Sequence, residues 1–299
     1  MLDNNVPNPF AKNPNFYTHK VFAAVGLILI GTIIAAAGIW YYVENQAGAK
    51  KDSADKATNL QPASSSAHTS TQTEQITWMQ TATGWQASGT PPTCPSPVLK
   101  TPVALTKVTS ILYPGQVRGG NYKPHGGFRF DTAKSSSVSV SAAMDAVVVR
   151  GSRYLVNGEI QYTFDFIAPC GIMYRLGHLL VLDSKYQKIA ASFPAAKEGD
   201  SRTENVNPQV EVNAGETIAT AVGITKGGLN VFFDFGVYDL KTKNQASKDA
   251  AWAAKPEHDP ELAQHALCWF DLLPSTDTSK VKSLPGADGT AGKTSDYCK

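Results

Sequence analysis

The sequence predicts a mostly β fold with an antiparallel sheet as its core. Three observations carry this. Residues 137–154, 159–169, 172–183 and 230–240 ("SVSVSAAMDAVVVRGSRY", "EIQYTFDFIAP", "IMYRLGHLLVLD", "NVFFDFGVYDL") are rich in Val, Ile, Tyr and Phe, often alternate, and are separated by Gly, Asn or Pro. A hydrophobic content of 42% over 299 residues is enough for a packed core. The four cysteines form no C-x-x-C pair, which argues against a small metal-ribbon or redox fold.

Taken in chain order, residues 1–20 form a short tail, expected to be cytoplasmic. Val21–Val43 runs for 23 residues without a charge, long enough as a helix to cross a bilayer at roughly 1.5 Å per residue. Trp40, Tyr41 and Tyr42 close it, where amphipathic rings settle at lipid headgroups. A cleaved signal peptide is the alternative, with "AGA" at 47–49 as the cleavage site, but the apolar run is long for one. Lys12 and Lys20 before the span and Lys50, Lys51 and Lys56 after it leave orientation undecided by charge.

Residues 44–97 read as a tether. The first part is polar and rich in Ser, Thr and Ala, too poor in large apolar groups to offset the entropy of folding. "ITWMQTATGW" brings apolar residues back, and "PPTCPSP" is a stiff hinge. The folded body is expected from Val98 to residue 275. Near its end Asp259 caps, Pro260 takes the first helical position and "ELAQHALCWFDLL" has helical spacing, which predicts a short helix. Residues 276–299 are expected to be a loop-like tail.

Cys94, Cys170, Cys268 and Cys298 suit two disulfides, with Cys94–Cys298 and Cys170–Cys268 the expected pairing among three connectivities. Disulfides place the body in an oxidising compartment and so outside the cytoplasm. The charge balance, 27 basic against 25 acidic residues and a net +2, provides no basic face for nucleic acid.

His125 follows a proline and precedes two glycines in "KPHGGFRFD" (123–131), a setting that projects an imidazole from a tight turn. His178 is expected just after a strand in "YRLGHL" (174–179), followed by "VEVNAGETIATAVG" (210–223), a strand, glycine turn and strand. His258 and His265 lie seven apart around Pro260, near Asp259 and Glu261, where charged residues at a helix start are more often caps and solvated faces than metal ligands. Asp165, Asp183 and Asp234 fall in strand-like segments, and no two carboxylates can be placed together from sequence. No G-x-S-x-G or P-loop is present.

In order and spacing these segments resemble the lysostaphin-like zinc endopeptidases, peptidoglycan hydrolases with a β core. The resemblance covers about residues 108–240. "KPHGGFRFD" corresponds to the first motif, "AAMDAVVVRG" to the A-x-x-D/N-G-x-V strand, "YRLGHL" to the second motif and "VEVNAGETIATAVG" to the third. "LNVFFDFGVYD" corresponds to the strand that carries H-x-H. In that family the first-motif His, an Asp four residues later and the second His of H-x-H hold zinc. Here His125 keeps the first place, Arg129 stands in the second, and Asn230 and Phe232 take the H-x-H places.

A guanidinium stays protonated and offers no lone pair, and a phenyl ring has no donor, whereas a hydrolytic zinc site needs three protein ligands and an open position. Asp131 rescues the site only if the turn is remodelled, and His178 without a metal has no activated water to work on. The resemblance therefore implies a membrane-anchored, extracytoplasmic bacterial domain that binds cell-wall peptide or an envelope protein without cleaving it, using no cofactor. Arg129 is suited to pairing with a peptide carboxylate. An active zinc endopeptidase with substituted ligands is one alternative, and a structural module of an envelope or secretion complex the other.

Overall fold

The computed structural model describes residues 76–299; the expected membrane helix, the N-terminal tail and most of the tether lie outside the described residues. Among the described residues no helix is long and apolar enough to cross a membrane.

Thirteen strands are described: β1 (Trp78–Thr81), β2 (Gly84–Ala87), β3 (Ser110–Leu112), β4 (Gln116–Arg118), β5 (Asn121–Lys123), β6 (Gly126–Arg129), β7 (Val140–Ser141), β8 (Ala146–Val156), β9 (Glu159–Ile167), β10 (Ile172–Leu182), β11 (Glu204–Val212), β12 (Thr217–Val222) and β13 (Phe232–Asp239). Nine of them form one sheet in the order β11-β8-β9-β10-β13-β6-β3, with β12 pairing β10 and β7. Every strand pair is antiparallel, as the alternating pattern predicts. The Asn157–Gly158 turn joins β8 to β9, both residues taking positive φ as a tight hairpin of this twist requires.

Alternation along β9 and β13 sorts side chains onto two faces. Phe164 and Phe166 of β9 and Phe233, Phe235 and Val237 of β13 enter the main core with Phe128, Tyr174, Leu176 and Trp269. The opposite face is polar yet largely covered. Asp165 is fully buried there between two guanidiniums, Arg175 Nε at 2.6 Å and Arg150 Nε at 3.1 Å. A buried carboxylate so clasped avoids the cost of an unpaired buried charge.

The body begins earlier than expected. The β1–β2 hairpin falls within the stretch read as tether, and Trp78 packs with Met173, Tyr238 and Leu240 while its Nε1–H donates to Pro169 O at 3.1 Å. The two large apolar residues Trp78 and Trp85 give the hairpin something to bury, which composition over the whole tether obscured.

The expected helix after Pro260 does not form. Asp259 Oδ1 accepts from Leu262 N–H at 2.7 Å, as a cap does, but turns follow, with only a short 3-10 helix at Trp269–Leu272. The reason is competition from the sheet: Leu267 N–H donates to Val237 O and Asp239 N–H to His265 O, so this backbone pairs with β13 instead of with itself. Conversely, part of the tail expected as loop is helical. The helices α1 (Ser184–Ala190), α2 (Ala250–Ala253) and α3 (Ser275–Ser283) are all short, and α3 follows Pro274.

Both disulfides form, but as Cys94–Cys170 and Cys268–Cys298. The expected pairing fails because Cys170 lies in the β9–β10 turn, against which the 92–98 segment runs. The last residues fold back so that Tyr297 Oη–H donates to Ala263 O at 2.9 Å, close to Cys268.

Candidate functional site

Three side chains meet on the polar face at one end of the sheet: His125, His178 and Asp234. Asp234 sits on β13, with Gly177 of β10 opposite on one side and Gly127 of β6 opposite on the other. Two glycines beside one carboxylate leave the floor around it without flanking side chains.

His125 ends the turn into β6, and its carbonyl accepts from Arg118 Nη2 at 2.9 Å, while Arg118 Nη1 donates to Tyr113 O at 2.6 Å. This guanidinium fixes the turn that presents the imidazole. His125 Nε2 lies 3.2 Å from Asp234 Oδ2.

His178 occupies a bulge in β10, where the register with β9 and β12 shifts. Its φ of 57° lies in the left-handed region, uncommon for a residue with a Cβ and costing about 1–2 kcal/mol. The bulge turns the imidazole toward β13, placing Nε2 3.6 Å from the same Asp234 oxygen. That separation is electrostatic contact, beyond a hydrogen bond. Phe232 packs on the ring at 4.6 Å between centroids, and Tyr154 meets it edge-on at 6.2 Å.

Burial alone would raise the Asp234 carboxyl. His125, His178 and Arg118 outweigh burial and hold it well below the usual carboxylate range. The reverse applies to His178, whose pKa burial lowers; Asp234 opposes that shift, and His125 and Lys123 add to it. The cleft thus holds a firmly ionised carboxylate beside a neutral imidazole. His178 Nδ1 is buried without a hydrogen-bond partner.

The other residues singled out from sequence are placed as follows. Arg129 points its guanidinium at Asp131, with Nη2 at 2.8 Å and Nε at 3.1 Å from Oδ1, and Thr109 Oγ1 donates to the other Asp131 oxygen at 2.6 Å. Asp131 is therefore committed to that pair and does not reach His125. Asn230 is backbone-paired in both directions with Ile224 at 2.9 Å, its side chain two positions from Phe232 on the cleft face.

His258 is stacked on Trp252 at 3.9 Å and meets Tyr122 at a tilt at 4.1 Å, and His265 Nδ1 donates to Asp239 O at 2.7 Å, so both are structural. Asp183 caps α1. Among the described residues no group of three His, Cys, Asp or Glu side chains is disposed to hold a metal ion.

Sequence reasoning noted Asp234 as a strand carboxylate but did not join it to the histidines. The signal was available, since Asn230, Phe232 and Asp234 alternate along one strand and share a face. A cavity of about 620 Å³ lies apart from this cleft, lined by Pro92, Pro95, Pro97, Met144 and Cys170, and holds none of these residues. The chain matches no protein-family model, no curated protein and no solved structure.

Proposed function

We propose that this chain is a membrane-anchored, extracytoplasmic bacterial domain whose cleft at His125, Asp234 and His178 binds a peptide of the cell wall without hydrolysing it. The resemblance to lysostaphin-like endopeptidases supplies the ligand class. One observation carries the loss of hydrolysis: Arg129, standing where that family has a carboxylate ligand, directs its guanidinium to Asp131 at 2.8 Å. A fixed cation bound to its own carboxylate neither donates a lone pair nor makes room for an ion. Asp234, meanwhile, has its charge met by His125 at 3.2 Å. Without an activated water, neither imidazole has a nucleophile to deprotonate.

The experiment is co-sedimentation of the full chain, in detergent, with purified peptidoglycan sacculi, alongside release of soluble fragments. Saturable sedimentation without fragment release supports the reading. A chain that stays in the supernatant at all concentrations points to the structural-module alternative.

The zinc-hydrolase alternative is favoured by one feature. Although Asn230 and Phe232 stand in the H-x-H places, Asp234 Oδ2 keeps an oxygen donor 3.2 Å from His125 Nε2. Elemental analysis decides it: near one equivalent of zinc per chain, abolished by His125→Ala, would replace binding by hydrolysis as the function.

A further inference from the structure

The turn that presents His125 depends on a part of the chain far from it in sequence. β4 and β5 form a two-stranded sheet of their own, outside the nine-stranded sheet, with three residues in each strand. So short a hairpin is not stable in water alone and needs something to pack on. The 286–298 segment provides it.

Contacts reach that segment from both strands. On β4, the buried Gln116 donates from Nε2 to Gly292 O at 3.1 Å and to Thr294 O at 2.6 Å. On β5, Tyr122 Oη–H donates to Asp296 Oδ2 at 2.9 Å, an oxygen that also accepts from Trp252 Nε1–H at 2.7 Å. Just before β4, Asp296 N–H donates to Gly115 O at 3.0 Å and the Ser295 hydroxyl donates to Pro114 O. The Tyr297 ring lies so close to Gly115 that a Cβ there would come within 2.8 Å of it.

The hairpin in turn holds the cleft. Arg118 Nη1 donates to Gln116 Oε1 at 3.4 Å, and Arg118 Nη2 donates to His125 O at 2.9 Å. A hydrogen-bonded path therefore runs from the 286–298 segment through Gln116 and Arg118 to His125, whose ring meets Asp234.

Little in the segment itself keeps it in place. It reads "GADGTAGKTSDYC", with three glycines and one large apolar residue, Tyr297. Glycine loses the most backbone freedom on ordering, and hydrogen bonds made in exchange for water contribute little net. The Cys268–Cys298 bridge offsets this by tying the segment to Cys268, beside Leu267, whose N–H donates to Val237 O of β13.

We propose that the Cys268–Cys298 disulfide is a redox lock on the cleft. Closed, it holds the segment against the β4–β5 hairpin and fixes His125 beside Asp234. Opened, it releases segment, hairpin and His125 together, while the sheet stays folded on core residues such as Phe164, Phe233 and Trp269. Opening takes two electrons and two protons from a dithiol: the Sγ–Sγ bond breaks, two thiols form, and the dithiol closes to its own disulfide. Cys268 and Cys298 are both partly exposed, whereas Cys170 of the other bridge is buried. The lock acts on the cleft whatever ligand the cleft takes.

The test is amide hydrogen exchange, read by mass spectrometry on the full chain in detergent, before and after dithiothreitol. Cys268→Ser/Cys298→Ser serves as the permanently open form. Opening is expected to lower protection over residues 115–126 by about tenfold or more, while β9 and β10 stay protected. Reoxidation should restore protection in the parent chain. Gln116→Leu, with the bridge closed, is expected to lower protection over residues 121–126, because it cuts the path to Arg118.

Full protection over 115–126 in the open form overturns the lock. Loss of protection in β9 and β10 as well overturns it too, since the bridge would then hold the whole domain rather than the cleft. Alkylation of the partly reduced chain is expected to label Cys268 and Cys298 ahead of Cys94 and Cys170, and the opposite order overturns the redox role.

Discussion

Arg129 and Asp131, two residues apart at the end of β6, form an ion pair at 2.8 Å, with side chains 29% and 47% exposed. At that exposure the pair adds little stability, so its consequence lies in where it holds a guanidinium. It commits Arg129 to Asp131, just beyond β6, rather than to the His125–Asp234 pair.

Replacing that arginine by a carboxylate therefore tests how much of a metal centre survives. Arg129→Asp is expected to take up about one equivalent of zinc, using His125 and Asp234 as the other donors, where the parent chain takes up none. Elemental analysis after dialysis against micromolar zinc reads the difference. If the variant also stays metal-free, the cleft does not share the zinc geometry of the family it resembles.

Acidification is expected to destabilise the domain through His178. Its folded pKa lies below the unfolded value of about 6.5, so the unfolded state takes up the proton first. Stability at that residue is intact above about pH 7 and falls as pH drops through about 6.5, until the folded imidazole also titrates. Asp234 acts in a separate window: its depressed pKa contributes stability above about pH 4 that is lost below it. Urea midpoints between pH 7.5 and 5.5 should fall for the parent chain and fall less for His178→Gln.

The left-handed backbone at His178 makes its own prediction. Glycine adopts φ 57° without strain and a β-branched residue does not. His178→Gly is expected to be more stable than His178→Val by about 1–2 kcal/mol in urea unfolding. Equal stabilities would mean that the bulge relaxes when the imidazole is removed, and that His178 itself imposes the conformation.

The disulfides differ in the loop each closes, 76 residues apart for Cys94–Cys170 and 30 for Cys268–Cys298. Loop-closure entropy gives a loss of about 4 to 5 kcal/mol for removing the first and about 3 to 4 for the second. Double serine substitutions, compared by thermal unfolding, should preserve that order.

The strands were legible because burial on one face writes a period of two into the chain: "EIQYTFDFI" names its core residues by alternation alone, and β9 buries Phe164 and Phe166 accordingly. The segment after Pro260 carried every local mark of a helix and is not one, because β13 offered its backbone sheet-like partners that no local pattern encodes. The cysteine pairing failed similarly, since it depends on which turns the fold brings together.

By itself, the sequence determined the β class, the faces of the strands and the four cysteines as disulfide-forming, and it singled out His125 and His178 as candidates. Only the tertiary structure decided that Asp234 joins them, that Arg129 turns to Asp131, and that Cys94 pairs with Cys170. The physical reason is range. Periodicity records what each residue does relative to its own strand, whereas a site is made by register across β6, β10 and β13, which lie far apart in the chain and next to one another in the sheet.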